Sequence, residues 1–105
     1  MSGFVFHPAA YTDLEEIWGF IAADSLDAAD HVLDEIHVAI RSLVAFPNQG
    51  HRRPDLTSRP LRFRRVRDYL IAYAPDARPL QIIALLHGRR SPRVLAMILR
   101  EREAR

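Results

Sequence analysis

Apolar residues at Leu14, Ile17, Trp18 and Ile21 follow the i, i+3, i+4, i+7 spacing of one helical face. Pro8 suits a first helical turn, where its missing N–H is harmless, so the spacing predicts a helix near residues 8–23. Its acids Asp13, Glu15 and Glu16 are expected early in that helix, where the dipole favours them. Ala29, Leu33, Ile36, Ile40 and Leu43 recur at spacings of four and three, which predicts a second helix near 27–45, stopped by Pro47. The short connection at 24–27 makes the two helices an antiparallel hairpin.

Strand patterns occupy the rest. Phe4-Val5-Phe6 is short, aromatic and β-branched, the pattern of an opening strand near 3–7. Residues 47–60 hold Pro47, Asn48, Gly50, Pro54, Ser58 and Pro60, which reads as a polar, mobile loop. Strands are expected near 60–66, 69–74 and 80–87, with turns at Arg67-Asp68 and 75–79 making a meander. Tyr69, Ile71 and Tyr73 alternate against Leu70, Ala72 and Ala74, whereas 80–86 is apolar on both faces, as a covered central strand would be. After Pro92, residues 94–99 fit a short terminal helix before the charged tail 100–105. The order β-α-α-β-β-β(-α) predicts an α+β fold, with a largely antiparallel sheet packed on one face against the helical hairpin. Leu14, Ile17, Trp18, Leu33, Ile36, Ile40 and Leu43 should fill the space between them. Trp18, Phe20, Tyr69 and Tyr73 are read as core aromatics rather than base-stacking platforms.

At 105 residues the chain fits one domain spanning 1–105, burying roughly two thirds of its unfolded surface. It has no cysteine, which excludes disulfides, thiolate zinc sites and cysteine nucleophiles and suits a reducing cytoplasm. No metal site is expected, since spacings such as His31 to His37 do not stack on one helical face, and no phosphate loop or nucleophile elbow calls for a cofactor. The longest apolar runs are strand-sized, so no membrane span is expected.

Charge is what changes the picture. Residues 1–46 carry eight acids against one base, Arg41, a net of −7. Residues 47–105 carry fourteen arginines against five acids, a net of +9, so a total of +2 conceals a two-faced molecule. Arg62 and Arg64 alternate with Leu61 and Phe63 and share the opposite face of their strand. Arg65 breaks the alternation, so the strand should end or bulge near there. His87 follows Ile83 and Leu85 on one face of the last strand, with Arg89 and Arg90 just beyond it. Arg62, Arg64, Arg65, His87, Arg89 and Arg90 are therefore the candidate binding surface, arginine being suited to two-pronged contact with carboxylates or phosphates. The plainer alternative is a solvated sheet face whose arginines protect an edge and pair with the acidic helices.

The element order, with Asp13-Leu14-x-x-Ile17-Trp18, Phe46-Pro47-x-x-Gly50, Tyr69-Leu70-Ile71-x-Tyr73 and Leu86-His87-Gly88-Arg89-Arg90, resembles the ParE/RelE toxin superfamily from about Phe4 to Arg90. The resemblance implies the toxin of a bacterial type II toxin–antitoxin pair, cytoplasmic, held inactive by its cognate antitoxin and reaching operator DNA only through it. The His-Gly-Arg-Arg ending looks like the ParE branch, associated with plasmid stabilization, whose members poison DNA gyrase. Members of the RelE branch instead cut mRNA on the ribosome. Such cleavage needs a base, a cation for the phosphate and an acid. His87 or His51 could serve as base and Arg64, Arg89 or Arg90 as cation. Active RelE-type members tend to carry a tyrosine or histidine after the last strand and lysines before the sheet. This chain has Val94-Leu95-Ala96 there and no lysine, so the non-enzymatic, gyrase-binding reading is favoured.

Overall fold

A computed structural model describes residues 3–102. Strand β1 (Phe4–Phe6) runs straight into helix α1 (Pro8–Ala22). The helix is capped by His7, whose Nδ1 accepts the Ala9 N–H at 3.0 Å, and Pro8 takes the first position. No acid occupies the first turn of α1. The expected dipole role of Asp13, Glu15 and Glu16 is thereby corrected, because the helix already begins at Pro8. Helix α2 (Leu26–Ala45) starts from Ser25, whose hydroxyl accepts the Ala28 N–H, so the two helices form the expected hairpin.

Strands β2 (Arg62–Val66), β3 (Tyr69–Ala74) and β4 (Leu80–His87) follow as a meander. The sheet order is β1-β4-β3-β2, antiparallel except that β1 lies parallel to β4. Strand β2 pairs with β3 without interruption from Arg62↔Tyr73 to Val66↔Tyr69, so there is no bulge at Arg65 and the strand ends one residue after it, as expected. The irregularity is elsewhere. Pairing steps from Ala72↔Ala84 to Tyr73↔Ile82, which leaves Ile83 as an extra residue in β4. Ile83 and Ala84 consequently both join one core, while Leu80, Ile82 and Leu85 join the other. The expected alignment of His87 with Ile83 is thus broken: His87 shares its face with Leu85 only.

Each face of the sheet carries its own core. On one, Ala10 and Leu14 of α1 and Val32, Ile36, Ile40 and Leu43 of α2 meet Val66, Ile71, Tyr73, Ile82 and Leu85. On the other, Leu95 and Leu99 of α3 (Pro92–Glu101) cover Leu70, Ala72, Ile83, Ala84 and Leu86, with Leu56, Leu61 and Phe63 alongside. Helices therefore cover both faces rather than one, as a central strand apolar on both sides requires. Ser91 caps α3, accepting the Val94 N–H at 3.3 Å. Trp18 and Phe20 are not core: they are 37% and 80% exposed. Trp18 lies at the margin of the apolar stripe and is held outward by its Nε1–H donating to Asp30 Oδ1 at 3.0 Å. Tyr73 is fully buried and Tyr69 partly so, as their alternation predicts. Among the described residues no helix is long and apolar enough to cross a membrane.

The polar loop before β2 is fastened at its root. Tyr73 Oη donates to Pro47 O at 2.7 Å and accepts the Gly50 N–H at 3.0 Å. A Cβ on Gly50 would fall 2.5 Å from that hydroxyl and 2.9 Å from Phe63 O, so the Pro-x-x-Gly pattern marks a close backbone approach. His51 then pairs antiparallel with Phe63, covering part of the β2 edge.

Candidate binding surface at the open end of the sheet

Strand β4 outruns β1, so its last residues lose their neighbour on that side and their backbone groups must be satisfied otherwise. The Leu85 N–H donates to Asp13 Oδ2 of α1 at 2.9 Å, and Ile83 O accepts from Arg102 Nη1 at 3.0 Å. Asp13 and Arg102 close the arrangement with a two-pronged pair at 2.6 and 2.9 Å. Helices α1 and α3 are thereby tied across the sheet edge, and a cleft of about 580 Å³ opens beside the tie. Ile17, Tyr69, Leu85 and Ile98 make it apolar, Phe20 overhangs it, and Glu16, His87 and Arg90 supply charge or hydrogen bonding at its margin.

His87 ends β4 opposite Tyr69, the two rings packed edge to face with centroids 5.4 Å apart. Its Nδ1 accepts the Arg89 N–H at 3.2 Å, which assigns the unprotonated nitrogen and leaves Nε2 without a partner among the described residues. Burial beside this cleft, reinforced by the Asp68 carboxylate, raises the Tyr69 phenol above its ordinary value, so it stays protonated at neutral pH. The Gly88 N–H donates to Asp68 O at 2.7 Å and the Arg90 N–H to His87 O at 3.1 Å, which turns the chain sharply towards α3. That turn presents Arg89 and Arg90 to solvent. Arg89 reaches Asp68 only loosely, at 3.6 Å, with both side chains more than half exposed. An exposed pair of this kind contributes about 0–1 kcal/mol and leaves Arg89 available to a partner.

Of the other candidate arginines, Arg62 and Arg64 lie apart from this end and Arg65 lies next to it. Arg62 and Arg64 share the side of β2 that faces the α1–α2 hairpin, opposite Leu61 and Phe63 as their alternation predicts. Arg62 Nη1 donates to Gly50 O at 2.7 Å and so fastens the loop. Arg64 lines a shallow hollow against Asp34, Glu35 and Val38 of α2, and its buried Nη1 has no hydrogen-bond partner among the described residues. Arg65 is exposed; its Nη1 donates to Arg67 O at 3.2 Å, and Nη2 lies 3.4 Å from where a Gly88 Cβ would sit. The structure thus brings together His87, Arg89 and Arg90, places Arg65 beside them, and leaves Arg62 and Arg64 towards α2. Arg64 and His87 face the same side, yet two strand spacings, about 10 Å, separate their strands.

Sequence reasoning missed Phe20 and the Asp13–Arg102 tie. Phe20 stands outside the apolar stripe of α1, and an aromatic off the stripe was the available signal. The tie joins residues 89 positions apart and had no local signal.

The family model described as ParE toxin of type II toxin-antitoxin system, parDE, matches residues 4–92, and the chain belongs to that family. An antitoxin partner follows from membership. No curated protein matches the chain.

Proposed function

We propose that this toxin acts by binding and inhibiting DNA gyrase, and that its antitoxin neutralises it by covering the arginine-bearing end of the sheet. The observation that carries this reading is the apolar cleft at the strand end, lined by Phe20 and flanked by the exposed Arg89 and Arg90. Of the cleavage candidates, His87 and Arg90 line one cleft, whereas Arg64 lies in a separate hollow against α2 and Arg89 on the exposed turn, paired with Asp68. Transition-state stabilisation needs such groups converged on one phosphate. Moreover, Arg102 neutralises Asp13 and Glu16 offsets Arg90, so the lining of the His87 cleft offers an RNA backbone no net positive charge. Exposed Arg89 and Arg90 beside an apolar cleft overhung by Phe20 suit a protein partner instead, with large apolar anchors and charged rims.

Under this reading the antitoxin contributes an acidic, amphipathic segment that folds onto the surface formed by Arg65, His87, Arg89 and Arg90, charge complementarity chiefly speeding its association. The toxin works in the cytoplasm and reaches operator DNA only through the antitoxin, and plasmid stabilization is the cellular role that fits such a pair. Ribosome-dependent mRNA cleavage is the second reading, favoured by the free Nε2 of His87 beside Tyr69. The direct test adds purified, antitoxin-free toxin to gyrase and follows supercoiling of relaxed plasmid. Dose-dependent loss of supercoiling, reversed by antitoxin, is the expected result; undiminished supercoiling at a large molar excess of toxin overturns the reading.

A further inference from the structure

Helix α1 has two working flanks. Asp13, Glu16, Ile17 and Phe20 face the cleft at the sheet end. Tyr11, Leu14, Glu15 and Trp18 lie on its other flank and face Leu33 and His37 of α2 and Phe6 of β1. Between these residues runs a groove of about 470 Å³ along the outside of the hairpin. Tyr11 is 55% exposed and Trp18 37%, although each presents a large ring to the groove. An exposed tryptophan in a groove needs a physical reason, and here the ring is fixed: Asp30 accepts its indole N–H at 3.0 Å. The carboxylate holds the ring in one orientation, so little side-chain freedom remains to be lost on docking.

Charge says what fits. The groove is lined by Glu15, and Asp30, which holds the Trp18 indole, is exposed beside it on α2. Across both helices Arg41 is the single arginine, against seven acids. An acidic segment would be repelled here, whereas a basic one would be attracted and steered. The furrow between two packed helices accepts the side-chain ridge of a third, and a helix seated there reads as apolar anchors at i, i+3 or i+4 and i+7. We infer that the outer groove of the hairpin, built on Tyr11, Leu14, Trp18 and Leu33 and rimmed by Glu15 and Asp30, is a second docking site that takes a basic amphipathic helix from a partner protein. This site is opposite in charge to the arginine-bearing end and stands whichever target the toxin has.

Trp18 is the only tryptophan of the chain, so its fluorescence reports this groove alone. The test titrates the full-length, antitoxin-free protein with three synthetic helical peptides lacking tryptophan: Leu/Arg amphipathic, Leu/Glu amphipathic with the same apolar pattern, and Leu/Arg with scrambled order. The amphipathic basic peptide should shift Trp18 emission to shorter wavelength saturably, while the other two leave it unchanged. Glu15→Arg should weaken that binding by about three- to tenfold, the size expected when one rim attraction becomes a repulsion. Tyr11→Ala should weaken it too, with circular dichroism unchanged for both variants. An equal response to the acidic peptide, or to the scrambled one, overturns the inference. So does sedimentation showing that the free chain is already a dimer with Trp18 shielded, since the occupant would then be a second copy.

Discussion

Asp13 of α1 and Arg102 just after α3 form a two-pronged ion pair across the edge of the sheet, with side chains only 15% and 12% exposed. Each partner also satisfies a β4 backbone group that the short β1 leaves open, Leu85 N–H and Ile83 O. Removing either partner strands a mostly buried charge, a change that typically costs about 3–5 kcal/mol. Asp13→Ala and Arg102→Ala should each lower stability by about 3 kcal/mol in urea unfolding. The double variant should cost clearly less than the two singles added, because it strands neither charge.

The core and the exposed aromatics make opposite predictions. Ile36 is completely buried between α2 and the sheet, so Ile36→Ala should cost about 2–5 kcal/mol. Trp18 packs at the margin, and Trp18→Ala should cost less than Ile36→Ala even though it deletes a larger side chain. Paired denaturant unfolding of the two variants measures the order directly.

Gly50 and Tyr73 should be coupled. Gly50→Ala forces a Cβ against the Tyr73 hydroxyl, which should destabilise by about 1–3 kcal/mol. Tyr73→Phe removes that hydroxyl and leaves Pro47 O and the Gly50 N–H without it, at a similar cost of about 1–3 kcal/mol. Because the closest clashing atom is then gone, the double variant should be less destabilised than the two effects summed. Phe63 O still limits the space, so recovery should be partial.

The two-residue turn between β2 and β3 places Arg67 at φ 55, left-handed backbone that a side chain adopts reluctantly. Arg67 offsets that strain by gripping Glu35 of α2 with contacts of 2.8 and 2.6 Å. The Arg67 hydrogen bonds hold the Glu35 carboxyl below its ordinary 4.5. A carboxylate with a depressed folded-state pKa contributes its stability above the unfolded value and loses it as pH falls through the folded one. The wild type should therefore exceed Glu35→Gln in urea midpoint above about pH 4.5, with the gap closing at lower pH. High salt should narrow the gap at neutral pH as well, because the pair is exposed.

Most of the fold was legible in the sequence because its periodicities were strong. Both hairpin helices and the three later strands lie within about two residues of the expected bounds, since Pro8, Ser25, Pro47 and the Arg67-Asp68 turn punctuate the pattern. Three features escaped for physical reasons. The bulge at Ile83 shifts side chains by a residue inside a uniformly apolar run, where alternation carries no signal. The second core beneath α3 joins the short terminal helix to strands through contacts distant in sequence, which helical spacing alone does not encode. Trp18 satisfies helical spacing, yet its indole N–H finds a surface carboxylate rather than a core partner. The candidate site was legible at its tip, Gly88-Arg89-Arg90, whereas the separation of Arg62 and Arg64 from it depends on strand order, which local pattern does not encode.

The central claim is that this toxin works by docking on gyrase and not by cleaving RNA. The measurement that tests it most directly compares wild type, His87→Ala and the double variant Arg89→Glu/Arg90→Glu in two assays: gyrase supercoiling and primer extension on translated mRNA. The account predicts that wild type and His87→Ala inhibit supercoiling alike, the charge-reversed variant fails while remaining folded, and no variant cuts mRNA. The contradicting result is codon-positioned cutting by wild type with supercoiling unimpaired, lost about 10²–10⁴-fold in a folded His87→Ala, the range expected when a general acid or base is removed.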